Sequence, residues 1–255
     1  MVMADRQFSD ARLAALYDRL YPLSRAMLDF YLPLVLAAPA VLDAGCGTGA
    51  LLKQARLAGH TGRLCGLDPA AGMLAQARTR TDIEWIHGDV ASIERGREFD
   101  LIVMTGHAFQ VLVEDEELKR ALGALRAAAG SAGRFVFETR NPAARAWESW
   151  TPEHSAAVTD GQGHTVRVTP QVDSPFDGRT VSFTQTYSCE AWDQPQVSRS
   201  VLRFLDAREL SRLLAEAGFV LEEQFGDFDR QPLTHRSPEV ITIARVGDTL
   251  RAAPR

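Results

Sequence analysis

The residues best suited to chemistry fall in four short segments. The first is VLDAGCGTGA, Val41 to Ala50, an apolar run that leads into glycines at 45, 47 and 49. Glycine tolerates positive φ and lets backbone approach a ligand with no Cβ in the way, so a strand entering such a turn and then a helix can cradle a ligand. A plain tight turn would use the same residues. Asp68 closes the next β-rich run, roughly twenty residues on, where a carboxylate can accept both hydroxyl hydrogens of a ribose. Gly88-Asp89-Val90 offers a carboxylate for an exocyclic adenine amine and a backbone N–H for a ring nitrogen, or else a solvated turn aspartate. MTGHAFQVL, Met104 to Leu112, would leave the carboxyl edge of a sheet and face its crevice. Such a set fits a nucleoside-type cofactor. Gly45, Gly47 and Ala50 also satisfy the dinucleotide fingerprint, which keeps an NAD(P)-dependent oxidoreductase as a rival reading.

These segments need a scaffold, and the chain supplies one. From Val41 to Arg140, short β-rich runs alternate with helical stretches, the pattern of a parallel sheet with helices on both faces. The expected strands are Val41 to Ala44, Leu64 to Asp68, Ile83 to His87, Phe99 to Thr105 and Arg134 to Thr139, each apolar nearly throughout, as strands covered on both faces must be. Helix formers fill Leu51 to Ala58, Ala70 to Thr79 and Glu114 to Ala129. A helical segment, Asp10 to Leu36, precedes the core. After it comes a polar stretch, Thr151 to Asp177, and then alternation through Val166, Val168, Val181, Phe183, Tyr187 and Cys189, which predicts an antiparallel sheet with one exposed face. A helix over Ala207 to Ala217, stopped by Gly218, and strands at Val220 to Phe225 and Val240 to Ala244 complete the pattern. The fold class is therefore α/β, a doubly wound, mostly parallel sheet with an N-terminal helical segment and a small antiparallel β-insert. The expected division is an N-terminal helical lid at 1–36, a core at 37–150 and 205–246, a β-insert at 151–204 and a loose tail at 247–255.

Bulk properties narrow the functions. With 255 residues, 45% apolar and 24% charged, the chain can bury a sizeable core. A formal net charge of −5 disfavours nucleic acid as the main partner, since phosphate binding rests on basic surface. No window approaches the ~20 apolar residues that span a bilayer, and no secretory leader opens the sequence, so a cytoplasmic location is expected. Cys46, Cys65 and Cys189 stand singly, which argues against a disulfide framework or thiolate metal site.

In this arrangement the sequence resembles the seven-stranded, class I S-adenosylmethionine-dependent methyltransferases of small-molecule type. The resemblance runs in order through VLDAGCGTG, GLDPAAGML, HGDV, FDLIVMTGHAFQVL and RFVFETRNP, and closes with LLAEAGFVLEEQFGDFD and PEVITIARV. No dehydrogenase pattern fits the second half. The resemblance implies S-adenosyl-L-methionine as cofactor, with Asp43, Gly45, Cys46, Gly47 and Gly49 along its methionine part. It implies Asp68, with Pro69, at the ribose diol, Met73 near the adenine, and Asp89 with Val90 at the adenine edge. Thr105, Gly106 and the residues up to Phe109 would flank the sulfonium. Tyr17 and Tyr21 would close over the methionine end, although tyrosines at helical spacing are commonly core. No NPPY- or DPPY-like tetrapeptide follows the fourth strand, which argues against adenine or glutamine-amide acceptors and for a small molecule. A homodimer could form through the N-terminal helix or the β-insert. The same fold could also bind the cofactor and run another reaction, or none.

Methyl transfer to a neutral amine needs no base, whereas a hydroxyl or phenol benefits from one. His107 is the best-placed base, or else a loop histidine bonded to backbone. His154 and His164 lie in the polar segment that could cover a pocket. Arg140 could clamp an acidic substrate or cap a neighbouring carboxylate. Trp147, Trp150 and Trp192 could wall a flat or cationic acceptor or pack a domain seam. The acidic run Glu114 to Glu117 suits the first turn of a helix.

Overall fold

A computed structural model describes residues 4–93, 96, 99–174 and 176–247. Four short helices, α1 (Arg6–Ser9), α2 (Ala11–Ala14), α3 (Tyr17–Leu20) and α4 (Arg25–Ala37), precede the sheet. The core then runs β1 (Ala40–Ala44), α5 (Ala50–Leu57), β2 (Arg63–Asp68), α6 (Ala71–Ala77), β3 (Glu84–His87), β4 (Phe99–Met104), α7 (Asp115–Ala128) and β5 (Ala129–Arg140). Four strands follow, β6 (Ala156–Thr159), β7 (Thr165–Ser174), β8 (Thr180–Ser188) and β9 (Gln196–Arg203). The described chain ends in α8 (Ala207–Glu216), β10 (Phe219–Phe225) and β11 (Glu239–Val246). The tail expected to be loose lies, from residue 248 onward, outside the described residues.

The seven-stranded sheet has the order β10-β11-β5-β4-β1-β2-β3, with β11 antiparallel to both of its neighbours. Period-two alternation buries both faces. Leu42, Phe135, Phe137 and Val240 pack one way, against Leu118 and Leu122 of α7 and Leu210 and Leu214 of α8. Val41, Val136, Ile241 and Ile243 pack the other way, with Phe30, Tyr31 and Val35 of α4 and Leu51 and Leu52 of α5. The order reverses at β1, which lies between β4 and β2, so a crevice opens there beyond the carboxyl ends of the strands.

The second sheet, β6-β7-β8-β9, is antiparallel throughout. Val166, Val168 and Tyr187 pack with Leu13 and Leu16 of the N-terminal helices, while Val181 and Leu202 pack with Trp147 and Phe204. Arg203 is bonded to Asp115 at 2.7 Å and joins this sheet to the first turn of α7. The acidic start of α7 thus has a cationic partner besides its helix dipole.

Three local expectations are corrected. The segment from Asp10 to Leu36 is broken: Asp10 caps α2, and Ser24 caps α4 after Pro22, because side chains that accept backbone N–H bonds favour restarting a helix over continuing one. β3 is an edge strand whose Glu84 and His87 are exposed, so it is not covered on both faces. β5 begins at Ala129 instead of Arg134, pairing with Phe99 before its register shifts. No described helix is long and apolar enough to cross a membrane.

Candidate functional site

A cavity of about 810 Å³ lies over the carboxyl ends of the parallel strands. It has the size of sites that hold small molecules and cofactors. A second cavity, of about 50 Å³ between Leu42, Cys65, Leu67 and Phe99, has room for only a few waters.

One end of the large cavity is the glycine turn. Gly45, Gly47 and Gly49 have φ of +83°, +55° and +74°, the left-handed region that side chains rarely adopt. A Cβ on Gly45 would stand 2.8 Å from the Cβ of Ala108, so the turn admits no side chain there. The N–H groups of Gly45 and Cys46 both donate to the carbonyl of Leu67, which pins the turn to the end of β2. Asp68 is buried beside it and accepts from Gly47 N–H and Ala70 N–H, one bond to each oxygen, both at 2.8 Å. Each oxygen keeps a lone pair for a further donor. Pro69, Met73, Asp89 and Val90 line the same end.

Thr105, Gly106 and His107 line the middle, and Tyr17 and Tyr21 of the N-terminal segment lie across from them. A Cβ on Gly106 would meet the Tyr17 hydroxyl at 3.7 Å. Burial pushes the Tyr17 phenol up to about 12, so it stays a neutral donor. Phe109 turns away from the cavity and stacks on Phe137, with centroids 4.4 Å apart, in the core. Asp43, Cys46 and Gly49 also lie off the cavity wall. Cys46 packs with Leu74 and Ala77, and a Cβ on Gly49 would run into the Trp85 ring.

Asp43 is fully buried and its Oδ1 has no hydrogen-bond partner. Burial, reinforced by Asp68 and Glu138, pushes its carboxyl up to about 8. An acidic cluster with an orphaned oxygen is incomplete without a cation or a donor nearby. The residues present thus fit a nucleoside ligand with a cationic tail: a cradle only glycine permits, a diol-competent carboxylate, and beneath them a buried carboxyl with an unpartnered oxygen that a nearby cation would ionise. Among the described residues no group of His, Cys, Asp and Glu is arranged to hold a metal ion.

His107 itself has φ of +63°, uncommon for a residue with a side chain and strained by about 1–3 kcal/mol. Glu138 holds it there, accepting the His107 N–H at 3.2 Å and the hydroxyl of the fully buried Tyr31 of α4. The ring Nε2 lies 3.0 Å from both oxygens of Glu239, at the start of β11. Burial pushes Glu239 up to about 8 and, helped by the Arg140 charge, His107 down to about 3. The contact has the geometry of an ion pair but is a neutral hydrogen bond near pH 7, because the desolvation cost of two charges exceeds their attraction here. Asn141 fixes the strand end next door, its amide donating to the carbonyls of Thr234 and Ser237 in the β10–β11 connection.

Arg140, at the end of β5, also faces the cavity. Its Nη1 donates to Gln110 Oε1 at 3.0 Å and its guanidinium lies 5.4 Å from the Trp150 ring. It therefore caps no carboxylate. Trp150 lines the cavity with Phe183 of β8, whereas Trp147 is buried against Phe176 and Phe204, and Trp192 lies under Arg12. His154 reaches the wall and bonds Thr151, and His164 bonds Asp160 in the β6–β7 turn, away from the cavity. Sequence reasoning had missed Glu239, Gln110 and Tyr31. Gln110 stood in the MTGHAFQVL segment without a role of its own, only the PEV of the closing strand marked Glu239, and nothing local marked Tyr31.

Residues 41–133 match the methyltransferase domain family. Over 139 residues the chain is 34% identical to 2-phytyl-1,4-naphtoquinone methyltransferase of Thermosynechococcus vestitus, a match that spans 49% of this chain and 61% of that enzyme. The fold is similar to that of the CcbJ methyltransferase of Streptomyces caelestis, with a TM-score of 0.73 at 21% identity over 96% of this chain and all of the other. It is also similar to SAM-bound CalS10, an amino pentose methyltransferase from Micromonospora echinaspora, with a TM-score of 0.64 at 23% identity over 90% and 96% of the two chains. Residues 41–133 are thus a methyltransferase domain, and the sheet that completes them has the seven-stranded, class I fold of the S-adenosylmethionine-dependent methyltransferases.

Proposed function

We propose that the protein transfers the methyl group of S-adenosylmethionine to an oxygen or nitrogen of a small molecule held under the second sheet. The observation that carries this reading is one cavity holding both the Asp68 anchor at the glycine turn and, past Gly106 and His107, a wall from β7, β8 and β9. The cofactor, when bound, supplies a methyl group already activated by its sulfonium. What the chain must add is alignment and exclusion of water. Asp68 would hold the ribose hydroxyls and Asp89 and Val90 the adenine edge, while Asp43, held protonated near pH 7 by burial, would ionise beneath the cationic end as that charge lowers its pKa. Tyr17 and Tyr21 would cover that end, as parts of a lid formed by the N-terminal helices.

His107 would take a proton from an acceptor hydroxyl or ammonium. With Nε2 turned to Glu239, Nδ1 is the ring atom left for the substrate. It accepts a proton only when Nε2 carries the hydrogen and Glu239 is ionised, since a protonated Glu239 donates to Nε2 and leaves the hydrogen on Nδ1. Glu239 is thus a positioning residue that sets which imidazole nitrogen is basic. CalS10, of similar fold, is an amino pentose methyltransferase, and a polar small molecule of that kind is compatible with this wall.

The test is calorimetric titration with S-adenosylhomocysteine beside an Asp68→Ala variant and an NADH control. Binding that falls at least about a hundredfold in the variant is expected, the loss of two charge-assisted bonds. Binding of NADH in its place would overturn the reading.

A further inference from the structure

We infer that the acceptor carries an oxyanion, a carboxylate or phosphate ester, that docks on the guanidinium of Arg140. The inference rests on the methyl-transfer reading and names the substrate class for that site. Arg140 lies at the end of β5, one strand from the His107 segment, and its guanidinium lines the cavity. Among the described residues it forms no ion pair. Both nearby carboxylates are engaged elsewhere. Glu138 takes the Tyr31 hydroxyl and the His107 N–H, and Glu239 takes His107 Nε2.

The guanidinium is nevertheless held in place. Gln110 is buried, and its Oε1 accepts from Arg140 N–H at 3.2 Å and from Nη1 at 3.0 Å, while its amide donates to the Arg203 carbonyl at 2.9 Å. The face of Trp150 lies alongside. A guanidinium presents five N–H donors, and among the described residues this one uses a single donor. A cation taken out of water, oriented by a dedicated amide and left with unused donors is a poor structural element, because Glu239 and Glu138 offset its desolvation only in part and neither bonds it. It is a good receptor for a planar or tetrahedral oxyanion, which it meets with two parallel bonds. Phe183 and Trp150 supply apolar surface beside it for the body of such a ligand.

The experiment titrates the S-adenosylhomocysteine-saturated protein with phenylacetate, phenyl phosphate and the neutral phenylacetamide. It uses the native sequence, Arg140→Gln and Arg140→Lys, with thermal unfolding of each as the check on folding. At least one anion should bind at least tenfold more tightly than the amide, and the Gln variant should lose that preference. The Lys variant should keep part of it, having the charge but not the fork. The better anion of the two tells a carboxylate site from a phosphate site. Equal binding of anions and amide, no binding of either anion, or anion binding unchanged in Arg140→Gln would overturn the inference. So would a tenfold loss of S-adenosylhomocysteine affinity in a normally folded Arg140→Gln, which would assign the guanidinium to the cofactor's own carboxylate. Failure of the native protein to bind S-adenosylhomocysteine would remove the methyl-transfer reading instead, and the same titrations without it would then decide the anion site alone.

Discussion

Arg140 and Glu239 are paired across the antiparallel ladder of β5 and β11, yet no ion pair joins them. Opposite charges facing each other on one side of a sheet ordinarily attract. Here each is diverted: Glu239 to the His107 imidazole at 3.0 Å, and Arg140 to the Gln110 amide at 3.0 Å. The diversion leaves both His107, held by Glu239 from behind, and Arg140, bonded to no carboxylate, on the lining of one cavity.

The His107–Glu239 pair makes activity depend on pH in a defined direction. Below about 8 the carboxyl of Glu239 is protonated and Nδ1 of His107 carries the other hydrogen; above it the base form prevails. With a hydroxyl acceptor, kcat should rise with pH through about 8. Glu239→Gln should abolish that step, and His107→Ala should lower kcat by about 10²–10⁴. A kcat that is indifferent to His107→Ala would show that the acceptor attacks without a base.

Stability should fall as pH rises between about 4 and about 8. Asp43 and Glu239 are both held well above their unfolded values, each up to about 8, so over that window the folded state binds more protons than the unfolded state. The penalty begins at the unfolded pKa and is complete above the folded one. Urea titrations across this range should show the decline, and Asp43→Asn should make it shallower. A flat profile for the native protein would mean that both carboxylates are ionised in the fold at no cost.

Gly45→Ala should damage both fold and binding. The substitution places a Cβ 2.8 Å from Ala108 at a φ of +83°. The left-handed conformation alone costs about 1–2 kcal/mol. Chemical denaturation should register at least that loss, and S-adenosylhomocysteine affinity should fall with it. Gly59→Ala, also at positive φ but with open space around its Cβ, should show the stability loss without the binding loss.

Gln110→Leu should loosen the seam between the two sheets. It strands the Arg203 carbonyl, the Arg140 N–H and the Arg140 guanidinium. Unsatisfied buried groups cost about 1–3 kcal/mol each. The expected readout is a lower unfolding midpoint and faster proteolysis within residues 151–204. Unchanged proteolysis would show that the Arg203–Asp115 bond at 2.7 Å holds the seam by itself.

The sequence by itself determined the parallel core. Short runs apolar nearly throughout, helix formers between them and glycines at 45, 47 and 49 are local properties that survive whatever packs around them, so the strands and the place of Asp68 beside the glycine turn were legible. The alternation from Val166 to Tyr187 announced the second sheet for the same reason. What local pattern could not convey was which distant side chains meet. Tyr31 reaches Glu138 across 107 positions and His107 reaches Glu239 across 132, and nothing in either neighbourhood encodes the other. The helical segment expected from Asp10 to Leu36 is helical, but only the structure shows where Asp10 and Ser24 restart it as separate helices. Burial is a property of the assembled fold, and burial raises Asp43 and Glu239 and lowers His107 and Arg140. The cofactor cradle was therefore written in local conformation, while the proton chemistry and charge of the acceptor wall were decided only by tertiary packing.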